Sequence, residues 1–275
     1  MTRLYSRLVV PRKAGDGALL ALLWRHAPLG FDETGRDLVA FFRDAPAARD
    51  AGDALRRRRV AFHLTTDIPE RDPLEAYRAA SRPFPVGRRF WLEPGEDGAG
   101  AAPEGRLALR VPASRAFGTG SHASTRLALE ALEDEPLAER SVLDVGTGSG
   151  VLALATAALG ARRVVGLDLD AEAVFVAREN VRRHSFGGRV RLFAGTVAAC
   201  GGRFDLVVAN MLADEILAEA RGIRARAGRR GRLLLSGVTR DRETDVLARM
   251  RRGRWKLAGR RTEDEWISLT LERAS

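Results

Sequence analysis

VLDVGTGSG, residues Val142–Gly150, decides how this chain is read. Val142, Leu143 and Val145 have the apolar character of a buried strand. Gly146, Gly148 and Gly150 predict a sharp turn. Val151–Leu159 (VLALATAAL) predicts the helix that leaves it. Glycine permits positive φ and lets a ligand approach the main chain, because no Cβ intervenes. The N–H groups at the helix start then favour an anionic group. A strand, a glycine turn and a helix in this order form a cradle for a small ligand.

The chain after residue 111 repeats that alternation. Thr125–Leu132 has helical character. Val142–Val145, Val164–Leu169, Val190–Phe193, Leu206–Ala209 and Leu233–Val238 are apolar runs of strand length. Parallel strands buried on both faces give such runs, and βα alternation implies a doubly wound α/β sheet. Trp255–Ala258 and Trp266–Leu271 follow with no helix between them. They complete a mostly parallel seven-stranded sheet with one antiparallel strand.

Residues 1–70 have a different rhythm. Leu4–Val10 predicts a strand, Gly17–His26 a helix, and Gly30–Asp32 and Leu38–Phe42 two strands. Ala45–Arg59 predicts a helix and Val60–Thr66 a last strand. The order βαββαβ is that of a smaller ferredoxin-like α+β domain, and it suggests a recognition module. Residues 71–110 are rich in proline and glycine, the composition of a linker. Within them Arg89–Leu92 and Arg106–Val111 are expected to pair as a hairpin. The predicted division is thus 1–70, 71–110 and 111–275.

The 275 residues include one cysteine, Cys200, which excludes a disulfide framework. The apolar run in the first residues is shorter than a signal peptide is expected to have, and Gly17–Trp24 is too short to span a bilayer. A cytoplasmic protein with no membrane contact is expected. His26 and His63 have no partner at ligand spacing, so no metal site is expected. The formal net charge is +10, and 44 of the 46 basic residues are arginine. Arg221–Arg261 holds 15 basic and three acidic residues. That stretch is a candidate contact for RNA, or else the solvated face of two helices and a loop.

Four stretches carry candidate chemistry. The GxGxG spacing of Gly146, Gly148 and Gly150 is tighter than the GxGxxG of dinucleotide folds, and it suits a ligand with an amino-acid end. Asp168 closes the second strand, where a carboxylate accepts from ribose hydroxyls. NAD and S-adenosylmethionine both satisfy that position. Asp170, two residues on, reads instead as a helix N-cap. Asn210 ends the fourth strand, at the edge where open α/β sheets bind ligands, and offers one acceptor and two donors. Its other role would be to cap a helix. Ala116–Thr125, AFGTGSHAST, is poor core material and good ligand-covering material. Within it His122 is a candidate base or hydrogen-bond donor, or simply a loop residue.

Together these stretches resemble the PrmA family, bacterial methyltransferases that modify protein eleven of the large ribosomal subunit. AFGTGSHAST resembles the family's AFGTGxHxTT signature, and VLDVGTGSGVLALA its first cofactor motif. VVGLDLD resembles the second motif, VVANMLA the N-(I/L)-L-A stretch, and EDEWISLTL the closing strand. The likeness covers about residues 112–271. It departs at Pro112-Ala113-Ser114-Arg115, where the family has D-P-G, and at Ala123 and Ser124 inside the loop.

The resemblance implies a class I S-adenosylmethionine-dependent fold with a ferredoxin-like substrate-recognition domain. It implies S-adenosylmethionine as cofactor, held by Phe117, Thr119, Thr125, Gly146, Gly148, Asp168 and Asn210. Asn210 and His122 are the catalytic candidates. The substrate would be the lysine or α-amino nitrogens of a ribosomal large-subunit protein. A methyltransferase of the same build acting on another protein or on RNA is the alternative. A nicotinamide-dependent dehydrogenase or a non-catalytic nucleotide-binding module is a more remote one.

Overall fold

The computed structural model describes residues 4–11, 17–26, 28–32, 37–69, 82–95, 102–112, 120–186, 188–252 and 254–274. The chain divides into two compact units, Met1–Ala79 and Ala80–Ser275.

The first unit contains β1 (Leu4–Pro11), α1 (Gly17–Trp24), β2 (Gly30–Asp32), β3 (Asp37–Phe42), α2 (Ala45–Arg57) and β4 (His63–Pro69). Its antiparallel sheet has the order β2-β3-β1-β4, the ferredoxin-like arrangement. Leu8 and Val10 on β1 and Leu38, Ala40 and Phe42 on β3 turn one buried face toward the helices. Asp44 caps α2 by accepting from Ala47 N at 2.9 Å, and the helix buries Ala48, Ala51, Gly52 and Leu55, an i, i+3, i+4, i+7 stripe. The last strand begins at His63, three residues later than the apolar run predicts. Val60 N still donates to Leu55 O, and Arg59 holds φ +56°, so the chain is completing the helix exit there.

The second unit opens with β5 (Phe84–Val86), β6 (Phe90–Glu93) and β7 (Leu107–Arg110). β5 and β6 form a hairpin around Gly87 (φ +53°), held by the buried Glu133 carboxylate, which accepts from Arg88 N at 3.0 Å and Arg89 N at 2.8 Å. Residues 89–92 and 106–111 do not form the expected hairpin. Those segments do pair, but in parallel, with Phe90 opposite Leu107 and Glu93 opposite Arg110. A parallel pair needs a crossover of about a dozen residues, and residues 94–106 are long enough to supply it.

Then follow α3 (Ala123–Leu132), β8 (Ser141–Val145), α4 (Val151–Ala158), β9 (Arg163–Asp168), α5 (Ala171–Arg182), β10 (Val190–Ala194), β11 (Phe204–Asn210), α6 (Ala213–Arg226), β12 (Ala227–Thr239), α7 (Glu243–Arg251), β13 (Trp255–Glu263) and β14 (Trp266–Arg273). The seven-stranded sheet has the order β10-β9-β8-β11-β12-β14-β13, and only β14 runs against its neighbours. Strand alternation divides its side chains between two cores. Val142, Val208 and Leu234 join α3, α4 and the small sheet on one face. Leu143, Val207 and Leu233 join α6 and α7 on the other. No helix among the described residues is long and apolar enough to cross a membrane.

His184, just past α5, ties that helix to the small sheet. Its Nε2 accepts from Arg110 N at 3.0 Å, and its Nδ1 lies 2.8 Å from Asn180 O, so Nδ1–H donates there. Only the neutral tautomer makes both bonds. Burial holds its pKa below the ordinary 6.5, and the nearby Arg110 acts the same way. A group with a depressed folded pKa supplies stability that is present above its unfolded value and lost as pH falls through the folded one. Urea unfolding of the wild type is therefore expected to weaken below about pH 6.5 by more than that of His184→Gln. At pH 8 the variant is expected to lose about 1–2 kcal/mol, because one of the two bonds cannot form. Equal pH slopes for the two proteins would show that His184 is not fixed neutral.

Candidate active site

The carboxyl ends of β8, β9, β11 and β12 meet on one edge of the sheet. After β8 the chain winds outward to β9 and β10, then returns to β11 on the other side. The crevice at such a reversal is where open α/β sheets bind ligands.

Its floor is the turn between β8 and α4. Gly146, Gly148 and Gly150 hold φ of +69°, +53° and +82°, a conformation L side chains rarely adopt. Gly146 N and Thr147 N both donate to Leu167 O at 2.9 Å, and Gly150 N to Thr147 O at 2.8 Å. Asn180 Nδ2 donates to Ser149 O, also at 2.8 Å, and fixes the turn from behind. A Cβ at Gly146 would stand 2.7 Å from Met211 Sδ. Gly150 begins α4 with no side-chain cap, and the first turn carries no acid. That helix start is therefore suited to an anionic ligand group.

Asp168 ends β9 beside the turn. Its Oδ2 accepts from Gly148 N at 2.9 Å and its Oδ1 from Asp170 N at 3.0 Å. The main chain so aims the carboxylate over the glycines, and lone pairs remain on both oxygens for hydroxyl donors. Asp170 caps α5, accepting from Glu172 N at 2.8 Å.

Asn210 ends β11. Its Nδ2 donates to the hydroxyl of the fully buried Thr125 at 3.1 Å, and its Oδ1 is buried with no partner. Opposite it on β12 stands Ser236, whose hydroxyl donates to Ser124 O at 2.7 Å. Gly237, at φ +80°, follows, and a Cβ there would fall 2.4 Å from Met211 O. His122 caps α3: its Nδ1 accepts from Ser124 N at 3.2 Å and lies 2.8 Å from Ser124 Oγ. Its ring packs edge-on to Trp266 at 4.8 Å. The fold therefore brings together Thr125, Gly146, Gly148, Asp168 and Asn210, with His122 at the start of the helix that carries Thr125. Phe117 and Thr119 lie outside the described residues.

Two contributors have no assigned role in the sequence reading. Ser236 and Gly237 make the closing wall, and a small polar pair at the end of an apolar strand is their signal. Asp144 is the other, an acid inside a buried strand. It is 1% exposed, accepts from Thr147 Oγ1 at 2.7 Å, and keeps Oδ1 without a partner. Burial pushes its pKa up to about 6. The residues present fit S-adenosylmethionine: a carboxylate suited to ribose hydroxyls, a glycine-rich turn and open helix start suited to an amino-acid end, and unpartnered buried oxygens on Asp144 and Asn210.

Enzymes that transfer a methyl group from S-adenosylmethionine, those of class I, are the class to which this strand order and this edge belong. The matching family model is described as ribosomal protein L11 methyltransferase (PrmA) and spans residues 34–274, and the chain belongs to that family. It is 40% identical over 204 residues to the ribosomal protein L11 methyltransferase of Geotalea daltonii, covering 70% of this chain and 65% of that one. It is 38% identical over 245 residues to that of Geobacter metallireducens, covering 88% and 78%. The crystal structure of a ribosomal protein L11 methylase from Lactobacillus delbrueckii subsp. bulgaricus shares the fold. It has a TM-score of 0.63 and 24% identity, covering 71% of this chain and 99% of that one. The match thus spans about two thirds to four fifths of the relatives' length.

Asp144 gives a pH dependence of unusual sign for an acid. The folded state binds its proton more tightly than the unfolded chain, so stability falls as pH rises from 3.8 to about 6 and then levels. Asp144→Asn is neutral throughout. Urea unfolding of the ligand-free protein at pH 4, 5 and 7 is expected to favour the variant increasingly, by up to about 3 kcal/mol. A difference that stays constant with pH would refute the buried, pH-sensitive carboxyl.

Proposed function

We propose that this methyltransferase acts on lysine or α-amino nitrogens of a ribosomal large-subunit protein, with L11, named in its relatives, as the substrate. The observation that carries the reading is the buried, partnerless Oδ1 of Asn210 at the cofactor edge. Because Thr125 takes the Asn210 amide N–H, the oxygen is presented as an acceptor. A neutral amine that donates one N–H to it has its lone pair oriented for attack. S-adenosylmethionine supplies an electrophilic methyl on a sulfonium. A free lysine amine titrates near about 10.4, and burial beside positive charge favours its neutral form. Alignment then supplies much of the acceleration. His122 acts by positioning, since its Nδ1 is committed to Ser124 and sets the first turn of the helix bearing Thr125.

In this reading Phe117, Thr119, Thr125, Gly146, Gly148, Asp168 and Asn210 hold the cofactor, with Asp168 on the ribose. The 1–70 region, with its ferredoxin-like sheet, recognises the protein substrate, and residues 71–110 lead from it to the 111–275 catalytic region. The reaction takes place in the cytoplasm. Contact with RNA does not extend over the whole of 221–261, because Arg232, Arg242, Arg260 and Arg261 are paired with acids.

Mass spectrometry of ribosomal proteins after incubation with enzyme and labelled cofactor is expected to show methyl groups on L11 amines. Label on RNA alone would overturn the substrate assignment. Calorimetry is expected to show Asp168→Ala losing about two orders of magnitude in affinity for S-adenosylmethionine, the worth of two hydrogen bonds to a charged group. Thr125→Val frees the Asn210 amide. Its kcat is expected to fall about tenfold and its stability by about 1–3 kcal/mol, since the buried Asn210 N–H then lacks an acceptor. Unchanged kcat would remove Asn210 orientation from the mechanism.

A further inference from the structure

The opposite edge of the sheet has a chemistry of its own. Six of the seven strands begin there, since β14 alone is reversed. Chain segments distant in sequence therefore deliver their arginines to one line. Arg163, the first residue of β9, lies over the Phe204 ring at 5.0 Å. Arg203 donates to Ala227 O at 3.2 Å, and Arg226 to Gly202 O at 3.4 Å. Arg163 and Arg226 both bear electrostatically on the thiol of Cys200.

β12 adds a projection. Its pairing with β11 skips from Ala227 to Arg232, and the residues between loop out. A Cβ at Gly231 would fall 2.7 Å from Gly228 N and 2.8 Å from Phe204 O, so the loop closes only because glycine stands there. Arg229 and Arg230 are exposed at its tip. Beside it the ends of α6 and α7 converge: Arg224 donates to Arg249 O, and burial together with Arg249 and Arg252 holds its pKa below the ordinary value.

These arginines carry no ion pair among the described residues, unlike others in the same stretch. Arg232 pairs with Glu135 at 3.1 Å, Arg242 with Asp214 at 2.6 Å, and Arg260 with Glu243 at 2.8 Å. Two acids at this edge are also engaged, Asp205 with Arg140 and Glu272 with Lys256. Exposed Glu139 offsets one charge. Helix dipoles favour cations at helix C-termini, which accounts for Arg224, Arg226 and Arg249. They do not account for Arg163, Arg203, Arg229 or Arg230, which lie outside helices.

We propose that this edge binds the phosphodiester backbone of RNA. From β9 to β13 it extends about 24 Å at ~4.8 Å per strand, a line suited to a polymer of regularly spaced anions and longer than one small anion needs. Guanidinium forks match phosphate bidentately. The choice of RNA over an acidic protein rests on the reading above, since a ribosomal protein has RNA for a neighbour. The fourteen residues of α6 hold the edge about 21 Å from Asn210, so it contributes nothing to methyl transfer itself.

The test is fluorescence anisotropy of the full chain with a labelled, mixed-sequence 20-nucleotide single-stranded RNA across 50–300 mM salt. The triple variant Arg229→Gln/Arg230→Gln/Arg252→Gln is compared with Arg242→Gln/Arg260→Gln/Arg261→Gln, which removes equal charge from paired positions. The first is expected to weaken binding at least tenfold at 100 mM salt and to flatten the log–log salt slope by about 2, at ~0.7 per lost phosphate contact. The second is expected to change affinity less than twofold. Equal losses in both, or no RNA binding by the wild type, would overturn the proposal. So would a polyglutamate peptide that competes as well as unlabelled RNA, which would make the partner an acidic protein. RNA binding is read without turnover, so a failed substrate assignment would leave these outcomes interpretable.

Discussion

Three glycines at positive φ within five residues are the constraint on which the second unit depends. They let the chain leave β8, donate twice to Leu167 O and enter α4 while keeping side chains off the floor of the crevice. Any other residue at these positions would bring both a strained backbone and a Cβ. At Gly146 that Cβ meets Met211, the neighbour of Asn210. The glycine turn and the end of β11 thus meet through one side chain. Gly237 repeats the requirement from the other side, since it has room for Met211 O only without a Cβ.

A sheet in which six strands share one direction has two unlike edges. Every β-to-α turn falls on one and every α-to-β turn on the other. The first collects Asp144, Asp168 and Asn210, polar groups held by main-chain and hydroxyl partners. The second collects arginines from the starts of strands and the ends of helices. This separation follows from topology and needs no sequence proximity, which is how Arg163, Arg203 and Arg229 come to share a surface.

Much of this was legible in the chain because the signals were local. The apolar runs from Val142 to Leu271 announced their strands, since burial on both faces leaves little choice of residue. The βαββαβ order carried the small sheet, whose strand order then follows from handedness. The glycine turn, Asp168 as the acid beside it and Asp170 as a cap were also set within a few residues. What escaped was non-local. The direction of the β6–β7 pair depends on where residues 94–106 travel, and composition does not encode that. The Asn210–Thr125 bond joins positions 85 apart, and the Ser236 contact needs a register that no single strand displays. Asp144 is an acid inside an apolar run, but its partnerless oxygen is a property of packing. The basic stretch was visible as a total, whereas its division into paired and unpaired arginines required the sheet.

The uncapped start of α4 leaves a bound ligand a place in the architecture. In the ligand-free protein that helix lacks the side-chain acceptor that usually secures a first turn. A ligand that engages those N–H groups completes a secondary-structure element as well as filling a crevice. Folding is then thermodynamically linked to metabolite supply: at one hundred times the dissociation constant, a ligand adds about 2.7 kcal/mol to the native state. The bound ligand thereby contributes to the stability of the fold before any methyl group has moved.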